Sequence, residues 1–164
     1  MPLPAVASFC LDDVPRVVLD TNVVLDWFYF LDPRCAALAE AVAQHRVRWI
    51  ASAAMRDELD RVLDRGVRSS WPVDAASVRE GWQRWATVVE ADGAPSPASM
   101  CCTDADDQKF IDLALQVRAA ALLSADRAVL RLARRAMAHG LMIATVGDWC
   151  CRTGPIGADA RRLP

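Results

Sequence analysis

The sequence predicts an α/β protein whose sheet is mostly parallel and is covered by helices on both faces. Short apolar runs, such as Val17–Leu19 and the "AALL" run at 120–123, alternate with longer stretches of helical pattern. Strands that are separated by helices pair in parallel, and right-handed crossovers place their carboxyl ends along one edge. We expect the ligand crevice at that edge, as in other open α/β sheets.

Local chemistry places the elements in chain order. Val17–Leu19 is a β-branched apolar run that suits a buried strand. Asp32-Pro33 favours a helix start, because proline is tolerated in the first helical turn. Ser52 is a preferred N-cap, and Gly66 suits the end of the same helix. We expect strands at 16–19, 46–51, 120–124 and 141–146, and helices after 20 and at 33–45, 52–66, 74–88, 106–118 and 126–139.

Length and composition indicate one globular domain. The chain has 164 residues, of which 54% are hydrophobic, so it can bury about 70% of its unfolded surface. We expect an irregular lead-in over 1–14, a single domain over 15–150 and a tail over 151–164. No apolar run reaches the roughly 18 residues of a membrane span. The N-terminus carries no basic residue ahead of its apolar stretch, so a cytoplasmic location is expected.

Charge and cysteine spacing argue against two further classes. The net charge of −2 is unlike that of a protein that holds nucleic acid mainly through phosphate contacts. The six cysteines show no Cys-x-x-Cys spacing, which argues against zinc and against a disulfide framework. We expect reduced, mostly buried thiols. Lys109 is the only lysine in the chain.

Acidic residues follow two predicted strands and open one predicted helix. Asp20 ends the first strand, Asp126 follows the third, and Asp104-Ala105-Asp106-Asp107 begins a helix. Each has a local alternative, since Asp20 and Asp126 suit helix N-caps and Asp104 with Asp107 suits a reciprocal cap. The carboxylates are nonetheless expected at the same edge of the sheet.

Glu58 is a further acid, and it lies on a helix face. Met55, Leu59 and Val62 form a stripe that is expected to face the core, and Glu58 lies beside it. Its carboxylate should lean toward the sheet, where an unpaired buried charge is costly and requires a cation. The alternative is a surface glutamate paired with Arg61.

Convergence of Asp20, Glu58, Asp107 and Asp126 would bring four negative charges together. Each pair would repel by roughly 4 kcal/mol at about 4 Å and an effective dielectric constant near 20, which only protons or a metal relieve. Oxygen donors suit Mg²⁺ or Mn²⁺, and such an ion activates water and neutralises phosphoryl charge. Phosphodiester hydrolysis is the expected reaction. Candidate hydrogen-bond donors to the carboxylates are Asn22, Thr21 and Ser124.

Four strings carry a resemblance to a known family. They are VVLDTNVVLDW, ASAAMRDELDRVL, CTDADDQKFIDLAL and LLSADRAVLRLA, and with the pattern between them they cover about residues 16–146. In this order and spacing the chain resembles the PIN-domain family of metal-dependent nucleases, in particular small stand-alone bacterial members described as toxins of toxin–antitoxin pairs. The family often has Thr-Gly-Asp where this chain has Ser124-Ala125-Asp126, and alanine lacks the backbone freedom of glycine.

The resemblance implies a parallel three-layer α/β/α sandwich with one acidic pocket. It also implies Mg²⁺- or Mn²⁺-dependent cleavage of single-stranded RNA, with an antitoxin protein and a second copy of the chain as partners. Counting back from Asp126 favours Asp107 as the central metal-binding acid, with Asp104 close by. The implied metal ligands are Asp20, Glu58, Asp107 and Asp126, and the implied catalytic set adds Asp104, with Asn22 in support.

Two features leave alternatives open. Arg127, Arg131 and Arg134 lie near one face of a predicted helix and are candidate RNA or partner contacts, although such a row is also typical of a solvated face. The six tryptophans are more typical of a core or a partner interface than of base stacking. A protein-binding module that keeps the fold without catalysis is the second function considered.

Overall fold

The structure is a computed structural model that describes residues 14–66 and 74–153. Within those residues the strands are β1 (Arg16–Leu19), β2 (Arg48–Ala51), β3 (Thr87–Val88), β4 (Ala121–Leu123) and β5 (Met142–Ala144). They form one sheet in the order β3-β2-β1-β4-β5, and every neighbouring pair is parallel. From β1 the chain adds β2 and then β3 on one side, and it then crosses back to add β4 on the other side of β1. The strand order therefore reverses between β1 and β4, which is where such sheets open a crevice.

Helices alternate with these strands, and the predicted α/β sandwich is confirmed. The apolar residues of β1 and the whole of β4 are buried, as expected for strands covered on both faces. The helices are α1 (Thr21–Phe28), α2 (Ala36–Ala43), α3 (Ala53–Asp64), α4 (Ala75–Trp85), α5 (Gln108–Gln116), α6 (Arg127–Leu130), α7 (Ala133–Ala136) and α8 (Val146–Thr153), with 3₁₀ turns at Pro33–Cys35, Ala98–Met100 and Met137–His139.

The sheet extends one strand further than the sequence predicts. Val88, predicted at the end of a helix, pairs instead with Ala51 across β2 and β3, because α4 already ends at Trp85. Two residues are too few to show the alternation that marks a strand. At the other end of the chain, the strand predicted over 141–146 ends at Ala144, and α8 begins at Val146 and continues over residues for which no element is predicted.

The helix predicted over 126–139 is interrupted in the structure. The Leu132 N–H bonds to the Val129 carbonyl three residues back, and this tighter turn separates α6 from α7.

The predicted cap of α3 is also wrong in detail. Ser52 occupies the N-cap position, but its side chain makes no capping bond, and only its carbonyl accepts the Arg56 N–H.

An aromatic cluster packs α1 and α4 against β2. Trp49 is fully buried, and its ring centroid lies 5.0 Å from that of Trp82, 5.9 Å from that of Trp27 and 6.2 Å from that of Phe28. Its indole Nε1 has no hydrogen-bond partner among the residues that the structure describes. These tryptophans therefore belong to the core and its margin, while Trp71 lies outside the described residues.

Gly81 allows α4 to approach α1, and its replacement is expected to destabilise the fold. A Cβ at this position would lie against the Phe28 ring, 2.9 Å from its Cζ, and that ring is stacked on Trp27 at 4.3 Å. Gly81→Ala should lower the free energy of unfolding by about 1–3 kcal/mol, although alanine favours a helix by about 1 kcal/mol over glycine. Urea denaturation measures the change. Gln83→Ala, on an exposed position of the same helix, is the control, and a stabilised Gly81→Ala protein would contradict the close approach.

The cysteines do not follow the prediction of mostly buried thiols. All the described cysteines are free, but only Cys35 among them is buried, whereas Cys101 and Cys151 are exposed. Each adjacent cysteine pair lies at the margin of the fold, so that at least one of its members faces solvent. Cys10 lies outside the described residues.

The helices that the structure describes include no candidate for a membrane span, because none combines sufficient length with sufficient hydrophobicity.

Candidate metal centre

A polar residue follows each of the two neighbouring strands between which the strand order reverses. Asp20 follows β1 and Ser124 follows β4, and the register places Leu19 opposite Leu123. The Ser124 hydroxyl donates a 2.5 Å hydrogen bond to Oδ2 of Asp20, and the Asp20 N–H donates to the Leu123 carbonyl at 3.0 Å. The pairing of β1 with β4 therefore fixes a carboxylate at the crevice.

Asp20 is a buried acid that is not used as a helix cap. It is 3% exposed and lies at the N-cap position of α1, yet its side chain makes no capping bond. Oδ2 accepts a second bond, of 2.8 Å, from Nδ2 of Asn22. Burial raises the pKa of Asp20, the bonds from Ser124 and Asn22 offset part of the rise, and the charge of Glu58 adds to it. The donors thus compensate only in part for a buried negative charge, which is the condition that favours cation binding.

Asp126 combines a capping role with a place beside Ser124. Its Oδ1 accepts the Ala128 N–H at 2.6 Å and caps α6, and its own N–H donates to the Ser124 hydroxyl at 2.9 Å. The Ala125 N–H donates to Oδ1 of Asn22 at 3.0 Å. Ala125 does not have a positive φ. The turn therefore does not require the glycine that the family often has at this position.

A third set of acids lies at the start of α5. Asp107 precedes the helix without capping it, and Asp104 accepts the Asp106 N–H at 2.9 Å, so the predicted reciprocal cap does not form. Burial raises the pKa of Asp107 to about 6, and the charges of Asp20, Asp126 and Asp104 contribute to the rise. Asp107 therefore lies within electrostatic range of the acids at the ends of β1 and β4.

Gln108 fixes the loop that carries these acids. Its Nε2 donates to Oδ1 of Asp112 at 2.7 Å and to the Met100 carbonyl at 3.2 Å, while its Oε1 accepts the Cys102 N–H at 2.7 Å. The Ser96 hydroxyl also donates to Oδ1 of Asp112, at 2.5 Å. The first turn of α5 thereby holds the preceding loop in place. Sequence reasoning missed this residue, because a lone glutamine gives no sign of its distant partners.

The raised pKa of Asp107 predicts a pH-dependent stability difference. An aspartate is ordinarily half-protonated near pH 3.9. Because the folded pKa of Asp107 is higher, its contribution to stability is full below about pH 4 and is lost as the pH rises through about 6. In EDTA, the stability of Asp107→Asn relative to the wild-type protein should rise between pH 4 and pH 7 by about 1 kcal/mol, after discounting for solvent screening of a half-exposed group. Thermal denaturation should show this as about 2–4 °C. A constant difference across this range would contradict it.

Glu58 is coupled electrostatically to Asp20 and is bound to a lysine. Its Oε1 accepts a 2.7 Å hydrogen bond from the Thr21 hydroxyl, and its Oε2 forms an ion pair with Nζ of Lys109. Arg61, the partner considered from the sequence, donates instead to a backbone carbonyl of its own helix. Sequence reasoning did not assign Lys109 a role, although it is the only lysine and lies two residues after Asp107.

The acids share one edge of the sheet but do not form a closed cage. In the part of the chain that the structure describes, no three His, Cys, Asp or Glu side chains lie close enough together to hold a metal ion. Electrostatic coupling nevertheless links Asp107 with Asp20, Asp126 and Asp104, and links Asp20 with Glu58. Ion binding therefore requires side chains to move toward one another from these positions.

The arginine row predicted on one helix is divided between two. Arg127 lies in α6, Arg131 lies in the turn after it, and Arg134 lies in α7. All three are exposed to solvent. The break at 131–132 gives them a different spacing from that of a continuous helix, so their predicted common face is not that of one regular helix.

A family model for the PIN domain matches residues 16–128, which is more than half of the chain. The chain belongs to the PIN-domain family. No curated protein matches it. PIN domains are generally nucleases and generally use divalent metal ions. The match covers β1 to the start of α6, and hence all the acids described above.

The donor chemistry of this PIN domain fits a divalent ion. Asp20, Asp107 and Asp126 supply carboxylate oxygens, which Mg²⁺ and Mn²⁺ prefer over nitrogen or sulfur donors. The raised pKa values of Asp20 and Asp107 reflect burial and mutual repulsion, both of which a bound cation would relieve. These three residues would hold the ion.

Proposed function

We propose that this PIN domain is a Mg²⁺- or Mn²⁺-dependent endoribonuclease that hydrolyses phosphodiester bonds of single-stranded RNA. The observation that carries the proposal is the buried carboxylate of Asp20. It accepts bonds from Ser124 and Asn22 at the crevice of the sheet, and it is coupled electrostatically to Asp107. A buried charged carboxylate costs stability, and a role in binding a divalent ion would explain why Asp20 occupies this position.

The residues of the centre have two kinds of task in this proposal: some bind the ion, and others hold a ligand in place. Asp20, Asp107 and Asp126 bind the ion, while Ser124 and Asn22 hold the Asp20 carboxylate in one orientation. When bound, a divalent ion lowers the pKa of water and neutralises charge that develops on the phosphoryl group. Asp104 is exposed at the start of the same loop and would assist from the rim.

The exposed arginines are proposed as contacts for RNA or for a protein partner. Arg127 directly follows Asp126, so it is adjacent in sequence to an acid of the centre. Its guanidinium can bind phosphate in a bidentate manner. The same surface would suit an antitoxin protein that carries acidic residues. We further propose that the protein acts in the cytoplasm as the toxin of a toxin–antitoxin pair and that it forms a homodimer.

The test is metal-dependent cleavage by protein purified without any antitoxin. A 5′-labelled single-stranded RNA is incubated with the protein in Mn²⁺, in Mg²⁺ and in excess EDTA, with double-stranded RNA and single-stranded DNA in parallel. We expect cleavage of the single-stranded RNA in either metal and none in EDTA, with Asp126→Asn inactive. Cleavage that persists in EDTA, or that Asp126→Asn retains in full, would contradict the proposal.

One observation favours a second function, a protein-binding module without catalysis. Among the described residues no three potential ligands lie within reach of one ion, and Glu58 is already paired with Lys109. A module of this kind would show no binding of Mn²⁺ by isothermal titration calorimetry and no cleavage of RNA under any metal condition. Metal binding at micromolar Mn²⁺ would exclude it as the sole function.

A further inference from the structure

A cavity of about 510 Å³ is lined by residues of the edge strand β5, of α7 and of the last turn of α8. Leu141 and Ile143 in its lining are buried, whereas Arg134, Met137 and Arg152 are exposed. The buried part of the lining is apolar, and the exposed part includes two guanidinium groups. The cavity therefore has an apolar floor and a basic rim.

This cavity lies at the edge of the sheet opposite the acids. Leu141 directly precedes β5, whereas Asp20 and Ser124 follow the carboxyl ends of β1 and β4. Helix α8 begins at Val146, just after the carboxyl end of β5, and its last turn returns Arg152 to the cavity. About the length of a strand therefore separates the cavity from the acids.

The two arginines of the rim form no ion pair among the residues that the structure describes. Residues 118–153 contain six arginines and two acidic residues, although the whole chain has a net charge of −2. Arginines earlier in the chain, such as Arg34, Arg56 and Arg79, pair with aspartates. Positive charge without an internal partner is thus concentrated in the part of the fold that contains the cavity.

The lining favours a protein partner over RNA. Among the described residues no aromatic side chain lines the cavity, so nucleotide bases would have no ring to stack on. Met137 is 69% exposed, more than any other large hydrophobic residue that the structure describes. Methionine and arginine are both enriched at protein–protein interfaces. Two cations beside an apolar floor complement a segment that carries carboxylates and apolar side chains together.

We infer that this cavity docks an acidic, partly apolar segment of a protein partner. Carboxylates of the segment pair with Arg134 and Arg152, and its apolar side chains cover Met137 and the floor. The inference rests on the proposed function in that it develops the proposed partner contacts, and it assigns Arg134 to a protein instead of RNA. It does not require a bound ion, so the two proposals can fail separately.

The test measures peptide binding to the full-length chain in excess EDTA, where metal-dependent cleavage cannot interfere. The probe is a fluorescein-labelled peptide composed of glutamate and leucine, and fluorescence anisotropy at physiological salt gives its Kd. Two companion peptides carry lysine in place of every glutamate or serine in place of every leucine. Each should bind at least about tenfold more weakly. A labelled single-stranded RNA is the nucleic-acid probe.

Substitutions at the rim should weaken binding of the acidic peptide, whereas matched substitutions elsewhere should not. Arg134→Glu and Arg152→Glu should each raise its Kd about tenfold or more, because attraction becomes repulsion. Arg135→Glu makes the same charge change in α7 outside the cavity lining, and it should change the Kd by less than about twofold. Met137→Ser should raise the Kd several-fold, whereas Leu31→Ser, at a residue that is 64% exposed, should leave it unchanged. Circular dichroism verifies that each variant is folded.

Methionine methyl groups locate the bound peptide. Met137 and Met142 line the cavity, whereas Met55 is buried in α3. In protein labelled with methyl-¹³C methionine, the acidic peptide should shift the nuclear magnetic resonance signals of the first two residues and leave that of Met55 in place. A Met137→Leu protein assigns the Met137 signal.

Equal losses for Arg134→Glu and Arg135→Glu would overturn the inference, because binding would then follow net charge alone. It would also be overturned if RNA, and not the acidic peptide, shifted the Met137 signal. A shift of that signal on concentrating the protein alone would assign the cavity to a second copy of the chain and would likewise overturn it. So would an absence of binding by the acidic peptide. None of these outcomes affects the metal-dependent cleavage that tests the nuclease proposal.

Discussion

The Asp20→Asn protein is expected to lose at least about 10³-fold of its metal-dependent RNA cleavage, which corresponds to roughly 4 kcal/mol of transition-state stabilisation. Asparagine keeps the shape of the side chain and can accept the hydrogen bond from Ser124, so the strand ends should stay in place. It removes the negative charge at the most buried acid of the centre, and hence the affinity for a divalent ion. Initial rates at saturating Mn²⁺ measure the loss.

A matched control lies on the same helix. Asp26 in α1 is half-buried like Asp107 and Asp126, but its pKa is raised by burial and by Asp32, and none of the acids of the centre contributes. Asp26→Asn should therefore cleave RNA at the wild-type rate. Equal activity of the Asp20→Asn and wild-type proteins would exclude Asp20 from the centre, provided that circular dichroism shows both to be folded.

Trp49→Ala is expected to cause the largest loss of stability among these substitutions, about 3–5 kcal/mol. The Trp49 ring is fully buried and contacts the rings of Trp27, Phe28 and Trp82, so its removal leaves a cavity between β2 and two helices. A loss of this size is a large share of the 5–15 kcal/mol that stabilises a typical domain. Guanidinium chloride denaturation, followed by far-ultraviolet circular dichroism, measures it.

Two further variants make the prediction for Trp49 specific. Trp27→Ala removes a half-buried ring of the same cluster and should cost clearly less, because its cavity is open to solvent. Trp49→Phe keeps an aromatic ring and removes an indole N–H that has no partner among the described residues, so it should be the mildest change at this position. Equal losses for Trp49→Ala and Trp27→Ala would contradict the burial on which the prediction depends.

The sequence predicted the edge of the sheet well because the rules that govern it are local. Val17–Leu19 is a β-branched run, Asp20 follows it directly, and parallel strands bring their carboxyl ends together whatever lies between them. The same reasoning placed Ser124 beside Asp20. It failed for Val88, because a two-residue strand owes its existence to pairing with Ala51 and not to its own pattern.

Capping alternatives could not be decided from sequence for a related reason. Asp20, Asp107 and Asp126 all occupy N-cap positions, and only Asp126 uses its side chain to cap. The difference depends on partners far away along the chain, such as the Ser124 hydroxyl that reaches Asp20. The pairing of Glu58 with Lys109 was missed for the same cause, since 51 residues separate the two in sequence.

The hydroxyl of Ser124 has a fixed polarity that determines how Asp20 can exchange partners. It accepts the Asp126 N–H, so its only proton is directed at Oδ2 of Asp20, and Asn22 donates to that same oxygen. Because Oδ2 already accepts two hydrogen bonds, we propose Oδ1 as the oxygen that would bind a cation. The two oxygens of the Asp20 carboxylate are therefore unequal, because Oδ2 is hydrogen-bonded to Ser124 and Asn22 and Oδ1 is the oxygen proposed to bind the ion.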